Sequence, residues 1–405
     1  MKNLHLTITG LAAIALLGLL ATAGSSMADT WVPEATPYSP TVNGGLSFAI
    51  DGLNNLGLTF KDADTGGLYY AYRSGGSWSA EAVDSGTHTG RASSLAYDGS
   101  TPHIVYRDSD DTVSDAGSLA YATRSGGSWT FSTIDAAANT NPRHTSIKID
   151  NEGKPAVGWV DQHELGTSDD TVDYAYYTGT SWQMQQIASR PRVLAGTDLA
   201  LDGSNTDAQI VYSDGSGWYQ VPVWGERQEN GTWALDEGLG GNASDTQAGY
   251  MAMDLDQNGN PAIGYLYTGT GDVQYATYDG TDWSIETVYS GEARDAFADY
   301  RYLDIAIDSW GYTHLAYYDA HTSQLTYSYR ADDTWFTSQT WDTKAYWMDL
   351  ELDSNNTPYI AYYDDTADRA YFIEGEPVPE PATVALFAVG LIAAAVRLRR
   401  RQTPA

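Results

Sequence analysis

The sequence predicts an all-β fold, a seven-bladed β-propeller, from two periodic marks and from their count. The first mark is an aspartate closing a short alternating apolar run, at Asp51, Asp98, Asp150, Asp202, Asp256, Asp308 and Asp353, with spacings of 47, 52, 52, 54, 52 and 45 residues. The second is a tryptophan behind a Gly/Ser/Thr/Asp turn, at Trp78, Trp129, Trp182, Trp233, Trp283 and Trp335, with spacings of 51, 53, 51, 50 and 52. Two independent marks that share a period of about 50 residues define a repeat array.

Each repeat reads as four antiparallel strands. Strand a alternates and ends at the aspartate, as in Ser146-Ile147-Lys148-Ile149-Asp150. Strand b is apolar and ends aromatic-x-Asp, as in Trp159-Val160-Asp161. Strand c carries tyrosines, as in Asp173-Tyr174-Ala175-Tyr176, and a turn such as Gly75-Gly76-Ser77 precedes the Trp that opens strand d. Short β-favouring runs with Gly-rich punctuation support strands throughout, and four-stranded repeats of this length support propeller blades. The last repeat, from Met348 to Gly375, has strands a, b and c only. The missing strand d stands at the other end, as Thr30-Trp31-Val32-Pro33-Glu34-Ala35, with Trp31 47 residues before Trp78. Seven blades follow, the seventh closed by the N-terminal strand, which removes exposed sheet edges. Pro33 is tolerable there because strand d is an outer edge. The repeated Trp are expected to pack between neighbouring sheets, and the strand-a Asp to cap amides of the a–b turn.

The two ends read as addresses. Residues 1–28 hold Lys2, an apolar run from Leu11 to Leu20 and Ser26-Met27-Ala28, the pattern of a secretory signal peptide cleaved after Ala28. The C-terminal segment 376–405 holds Val378, Pro379, Glu380 and Pro381, an apolar run from Ala382 to Val396, and Arg397, Arg399, Arg400 and Arg401. Fifteen apolar residues before an arginine cluster make a short hydrophobic transmembrane helix with its basic end in the cytoplasm. This order closely resembles the PEP-CTERM sorting signal of Gram-negative bacteria. The resemblance implies an exosortase and the secretion machinery as partners. It also implies an inner-membrane intermediate, then residence at the cell surface or in an extracellular exopolysaccharide matrix. The turn before each Trp is similar to the Asp-box of bacterial sialidases. Ser74-Gly75-Gly76-Ser77-Trp78 and Ser125-Gly126-Gly127-Ser128-Trp129 lack its aspartate. That resemblance implies a sialidase-like propeller and carries over no catalytic residue.

Composition excludes some chemistry. The chain carries 53 Asp+Glu against 21 Lys+Arg, a formal charge of −32, and the central region 29–375 alone carries −35. A domain this acidic repels phosphate backbones, so nucleic acid is not an expected partner. There is no Cys, hence no disulfide, thiolate metal site or Cys nucleophile.

Function is expected at the rim where strand b ends and strand a begins. Aspartates end strand b at Asp62, Asp108, Asp161, Asp214, Asp319 and Asp364, with Tyr267 in the blade-five slot, and aromatics stand two residues earlier in each blade, Phe60, Tyr106, Trp159, Tyr212, Tyr265, Tyr317 and Tyr362. Four residues before each strand-a Asp, Ser47, Ser94, Ser146, Asp198, Ala252, Asp304 and Asp349 are expected to line the channel, which makes channel and rim acidic. Among these acids stand Arg91, Arg143 and Arg301, with His88, His144, Tyr250, Tyr302 and Trp347 beside them. Rim arginines of this kind form salt bridges or clamp an acidic sugar against stacking aromatics. The b–c loops of blades two and three are the longest, and both contain Ser-Asp-Asp-Thr-Val. They gather Asp108, Asp110, Asp111, Asp161, His163, Asp169 and Asp170, an oxygen-rich set suited to calcium or to plain hydration. Asp254-Leu255-Asp256-Gln257-Asn258-Gly259 resembles the start of an EF-hand loop, but Tyr265 stands where its last acid belongs. Three readings stay open: a binding module for exopolysaccharide or surface glycan, a polysaccharide lyase or glycosidase working at the mouth, and a structural matrix protein.

Overall fold

The computed structural model describes residues 31–379 apart from 42–43, 110–116, 137–139, 163–169, 191–195, 205–206, 217–218, 238, 240–247, 268–269, 292–300 and 320. The signal peptide and the apolar tail expected from the sequence lie outside the described residues. Seven four-stranded antiparallel sheets, each in the order a-b-c-d, form the blades. They occupy residues 46–84, 91–135, 142–190, 197–236, 248–289, 303–342 and 345–374. Among the described residues no α-helix occurs, and no helix is long and apolar enough to cross a membrane.

Ring closure follows the expected scheme with a shorter strand. The strand itself is Glu34–Ala35, paired with blade seven opposite Phe372 and Tyr371, and Thr36 continues the contact to the Ala370 carbonyl. Pro33 has no N–H to extend the ladder inward. Trp31, ahead of the paired residues, still fills the tryptophan slot: its ring lies 4.5 Å from Tyr327 of blade six and 5.9 Å from Trp341. Gly375 makes the seat possible, since a Cβ there would stand 2.5 Å from the indole.

The other repeat tryptophans do the same work. Each strand-d Trp packs on the blade before it: Trp78 on Phe372, Trp129 on Tyr70, Trp182 on Tyr121, Trp233 on Tyr174, Trp283 on Trp224 and Trp335 on Tyr275, at 5.2–5.8 Å and near edge-to-face. Such pairs contribute roughly 0.5–1.5 kcal/mol each beyond area burial. Four of these seams carry an added indole hydrogen bond, from Trp129, Trp182, Trp283 and Trp335 to Glu81, Ser132, Asp236 and Glu286, and two of them also an arginine. Glu81 accepts from Trp129 Nε1 and pairs with Arg124, and Glu286 does so with Trp335 and Arg330.

In five blades the strand-a aspartate caps its turn. Asp51 Oδ1 accepts the amides of Leu53 and Asn55 at 2.8 Å each, and Asp150, Asp256, Asp308 and Asp353 repeat the pattern. Burial works against the charge of Asp51, but these amides and the Asn55 side chain hold its carboxyl below the usual range. The stretch that resembled an EF-hand start is this same turn in blade five, with Asp256 as its cap.

The aromatics two residues before the end of strand b belong to the core and not to the rim. Phe60, Tyr106, Trp159, Tyr212, Tyr265, Tyr317 and Tyr362 are all buried. Side chains on a central strand face the neighbouring sheets, so only the terminal residue reaches the mouth.

Candidate functional site

The first turns of the seven inner strands surround an axial cavity of about 150 Å³. Alternation along strand a sends two tiers of side chains into it. The upper tier is the one expected from the sequence: Ser47, Ser94, Ser146, Asp198, Ala252, Asp304 and Asp349. The lower tier, two residues on, holds alanine in four blades (Ala49, Ala96, Ala200, Ala306) and charge in three: Lys148, Asp254 and Glu351.

These side chains close a ring of hydrogen bonds. Each accepts a backbone N–H from strand a of the next blade. Ser47 accepts from Leu95 at 3.1 Å, Ser94 from Ile147 at 3.2 Å and Ser146 from Leu199 at 3.2 Å. Asp198 accepts from Met253 at 2.9 Å, Asp254 from Ile307 at 2.7 Å, Asp304 from Leu350 at 2.6 Å and Asp349 from Phe48 at 2.7 Å. Blade five has Ala252 in the upper slot, so its acceptor drops one pleat to Asp254. Every blade is thereby tied to the next through its innermost strand.

The carboxyls perturb one another. Burial raises the Asp304 carboxyl well above its ordinary range, and Asp349 and Asp198 push it further. Burial also raises Asp254, and it moves Glu351 up to about 7 with Asp349, Asp254 and Asp198 adding to it. Burial works against the Lys148 ammonium too, but Asp198, Glu351, Asp254 and Asp304 more than offset it and keep it charged. Lys148 is the counter-cation of the lower tier. The lower tier went unread in the sequence, yet its signal was there: charge at a position that is alanine in four of seven repeats.

Above the ring lies the mouth. Strand a begins with a β-bulge in blades two, three, five and seven, between Arg91 and Ser94, Arg143 and Ser146, Ala248 and Met251, and Tyr346 and Asp349. In three of these the bulge holds a non-glycine residue in the left-handed region: Ala92 (φ 50°), His144 (φ 49°) and Trp347 (φ 51°). Such conformations cost roughly 1–3 kcal/mol each and gather where side chains must be aimed. The His144 ring stands 6.4 Å from that of Tyr250. The Trp347 indole lies over Gly45, with Cζ3 3.7 Å from where a Cβ would sit.

Arg301 crosses this opening from blade six. One guanidinium nitrogen pairs with Asp349 of blade seven at 2.5 Å, and the other donates to the Thr145 carbonyl of blade three at 3.0 Å. Tyr250 lies beside it, and burial keeps that phenol protonated well beyond its usual range. Of the sequence candidates, Arg301 and Tyr250 line the cavity, His144 stands next to Tyr250, and Trp347 lies over Gly45. Tyr302 is buried, stacked on Tyr318 and edge-on to Tyr346. Arg143 is half-buried at the start of its strand, opposite Val160. Asp161 is buried and accepts the Asn141 amide at 2.6 Å, while Asp108 is half-buried at its strand end. Other strand-b aspartates cap loops, as Asp319 does for His321 and Thr322. His163, Asp110, Asp111 and Asp169 lie outside the described residues, and Asp170 is buried opposite Arg190 in strand c. Among the described residues no group of three or more His, Asp and Glu side chains is arranged to hold a metal.

Known proteins agree with the architecture. Residues 377–401 match the PEP-CTERM protein-sorting motif. The chain carries that motif and is thereby marked as an exported protein, sorted to the cell surface in association with a membrane. Val378 is buried and Pro379 is described; Glu380, Pro381 and the arginines lie outside the described residues. No curated protein is detectably similar in sequence. Three solved structures share the fold. A polysaccharide lyase, an ulvan lyase bound to –[GlcA(1-4)Rha3S]–, matches at 12% identity over 87% of this chain and 95% of its own, with a TM-score of 0.53. An α-L-arabinanase of Penicillium chrysogenum, complexed with arabinobiose, matches at 12% identity over 86% and 98%, TM-score 0.51. The Aleuria aurantia lectin, in complex with Fucα1-6GlcNAc, matches at 11% identity over 75% and 97%, TM-score 0.50. At these identities the likeness is one of fold.

Proposed function

We propose that this protein is a surface-sorted carbohydrate-binding propeller that holds an exopolysaccharide or surface glycan at the mouth of its axial cavity. It is delivered through a cleaved signal peptide (1–28) and an exosortase-processed tail (376–405) around the propeller (29–375). The observation that carries this reading is the strained mouth. His144 and Trp347 sit in left-handed bulges around a cavity crossed by Arg301, whose two hydrogen bonds leave further N–H donors for a ligand. Aromatic faces beside a planar cation suit a sugar ring with an acidic group. That the fold is shared with a lectin, a polysaccharide lyase and an arabinanase supports a carbohydrate ligand.

One observation favours the lyase alternative. Tyr250 and Arg301 line one cavity from blades five and six, and the His144 ring of blade three stands 6.4 Å from that of Tyr250, which offers an acid, a carboxylate neutraliser and a base. A polysaccharide panel separates the readings, scored for retention and for cleavage, with and without Ca²⁺. Retention without cleavage, weakened by Trp347→Ala, is expected. Cleavage abolished by His144→Ala would establish the lyase. No retention of any polysaccharide would leave the structural role.

A further inference from the structure

The sorting tail leaves the propeller at the end opposite the mouth. Strand b of blade seven (Pro358–Asp364) finishes at the mouth, and strand c (Arg369–Glu374) runs back from it. Arg369 is opposite Asp364, and Glu374 is opposite Tyr359 at the far end. The Gly375 amide then donates to the Pro358 carbonyl at 2.8 Å, so the chain departs from that far end. Val378 is 5% exposed, which keeps the chain on the body for three more residues. Only Pro379, Glu380 and Pro381 then precede the apolar run that begins at Ala382. Three residues reach about 10 Å when extended, and the seven residues of strand b rise about 23 Å. A bilayer that holds the apolar run therefore lies next to the exit end of blade seven and not next to the mouth.

The turns at this end carry a second mark. The residue two after each strand-a Asp stands in the a–b turn: Leu53, Ser100, Glu152, Ser204, Asn258, Trp310 and Asn355. It is apolar only in blades one and six, the two that flank blade seven. The three turns are joined. Asn54 of blade one donates to Ser354 Oγ of blade seven at 2.9 Å, and Asn356 of blade seven donates to Ser309 Oγ of blade six at 2.8 Å. Leu53 is 75% exposed and Val32, just ahead of the closing strand, 67%, the two most exposed large apolar side chains among the described residues. At such exposure neither contributes to the core. Trp310 is half-buried, edge-on to Tyr312 at 6.3 Å. Apolar side chains beside a membrane tail bury in the headgroup layer, and tryptophan favours it. In a region that carries −35, uncharged turns are the part suited to close approach.

We propose that the exit-end turns of blades six, seven and one form a lipid-facing surface, on which the tail-bearing protein rests against its membrane with the mouth turned away. The surface rests on the reading of 376–405 as a membrane-held tail and is independent of what the mouth binds. The chain has no Cys, so single labelling sites can be introduced. The full-length, tail-bearing chain is reconstituted into phosphatidylcholine vesicles containing a headgroup-quencher lipid. A fluorophore is placed at Asn355→Cys, on the exit end, or at Ser85→Cys, exposed in the loop that enters blade two at the mouth. The label at Asn355→Cys is expected to lose at least about half of its emission and that at Ser85→Cys almost none, because about 20 Å or more separates the two ends. Leu53→Ser and Trp310→Ser together are expected to cut the quenching at Asn355→Cys about twofold or more, since the interfacial side chains are then gone. Leu53→Ser alone, at an exposed position, is expected to leave the melting temperature unchanged and to cut the quenching by less. Equal quenching of the two labels, or stronger quenching at Ser85→Cys, overturns the orientation. Quenching at Asn355→Cys that ignores both serine substitutions overturns the lipid-facing role of the turns. A chain that does not float with the vesicles removes the membrane-tail reading and this surface with it, whatever polysaccharide retention shows.

Discussion

The inner ring has two unlike halves. Blades one to three join their successors through serine hydroxyls, at 3.1–3.2 Å, and blades four to seven through carboxyl groups, at 2.6–2.9 Å. The equivalent amide is satisfied in six of the blades, and in blade six the bonded amide is Ile307, one pleat further along. What the repeat demands is an acceptor, and a charged acceptor makes the shorter bond. The second half adds something the amides do not need: negative charge, concentrated on one side of the axis. Arg301 and Lys148 answer it, one from above and one from within. The serine half holds blades together; the carboxyl half also sets the electrostatics of the cavity.

Substitutions can break that contrast. The largest effect is expected for Asp349→Ala, which removes both the acceptor for the Phe48 amide and the partner of Arg301. Loss of one member of a buried ion pair costs about 3–5 kcal/mol, read as a fall in the denaturant midpoint at unchanged slope. Asp349→Asn keeps an acceptor and loses the charge, so it should fall between the parent and Asp349→Ala. Equal losses for the two would mean that the charge is idle.

A pH series is the next test. Asp254, Asp304 and Glu351 are raised, Glu351 to about 7, so in the folded protein they hold protons that the unfolded chain releases. Their contribution is full below the ordinary carboxylate range and is lost as pH rises through about 7 for Glu351. Glu351→Gln should flatten the decline in stability between roughly pH 5 and pH 8, by an amount on the order of 1–3 kcal/mol. An unchanged slope would show that the lower tier does not titrate there. The smallest effect is expected for Ser94→Ala, about 0.5–1.5 kcal/mol for one neutral hydrogen bond, with no change in pH dependence. A loss as large as that of Asp349→Ala would erase the distinction between the halves.

The seven blades and their closure were legible because two marks recur in every unit. The upper tier was legible because the Asp at the end of strand a fixes the register. The lower tier was less so: Lys148, Asp254 and Glu351 differ from blade to blade, and a repeat search discards what does not repeat. The drop from Ala252 to Asp254 is visible only once the Ile307 amide is seen to need an acceptor. The strand-b aromatics misled because alternation tells which residues share a face and not which face is covered by the next sheet. Arg301 carried the right position but not its reach, since pairing with Asp349 and Thr145 spans blades six, seven and three.

The closing strand also has a temporal side. Thr36 bonds the Ala370 carbonyl at 2.9 Å, across 334 positions of sequence. During synthesis the first strand must therefore wait unpaired until nearly the whole propeller has been made. Non-local pairings of this kind are made late and slowly. The waiting ends at Glu374, three residues before the sorting motif begins at 377. The seam that completes the ring and the signal that sends the protein onward thus lie side by side, so the address is adjacent to the last contact to form.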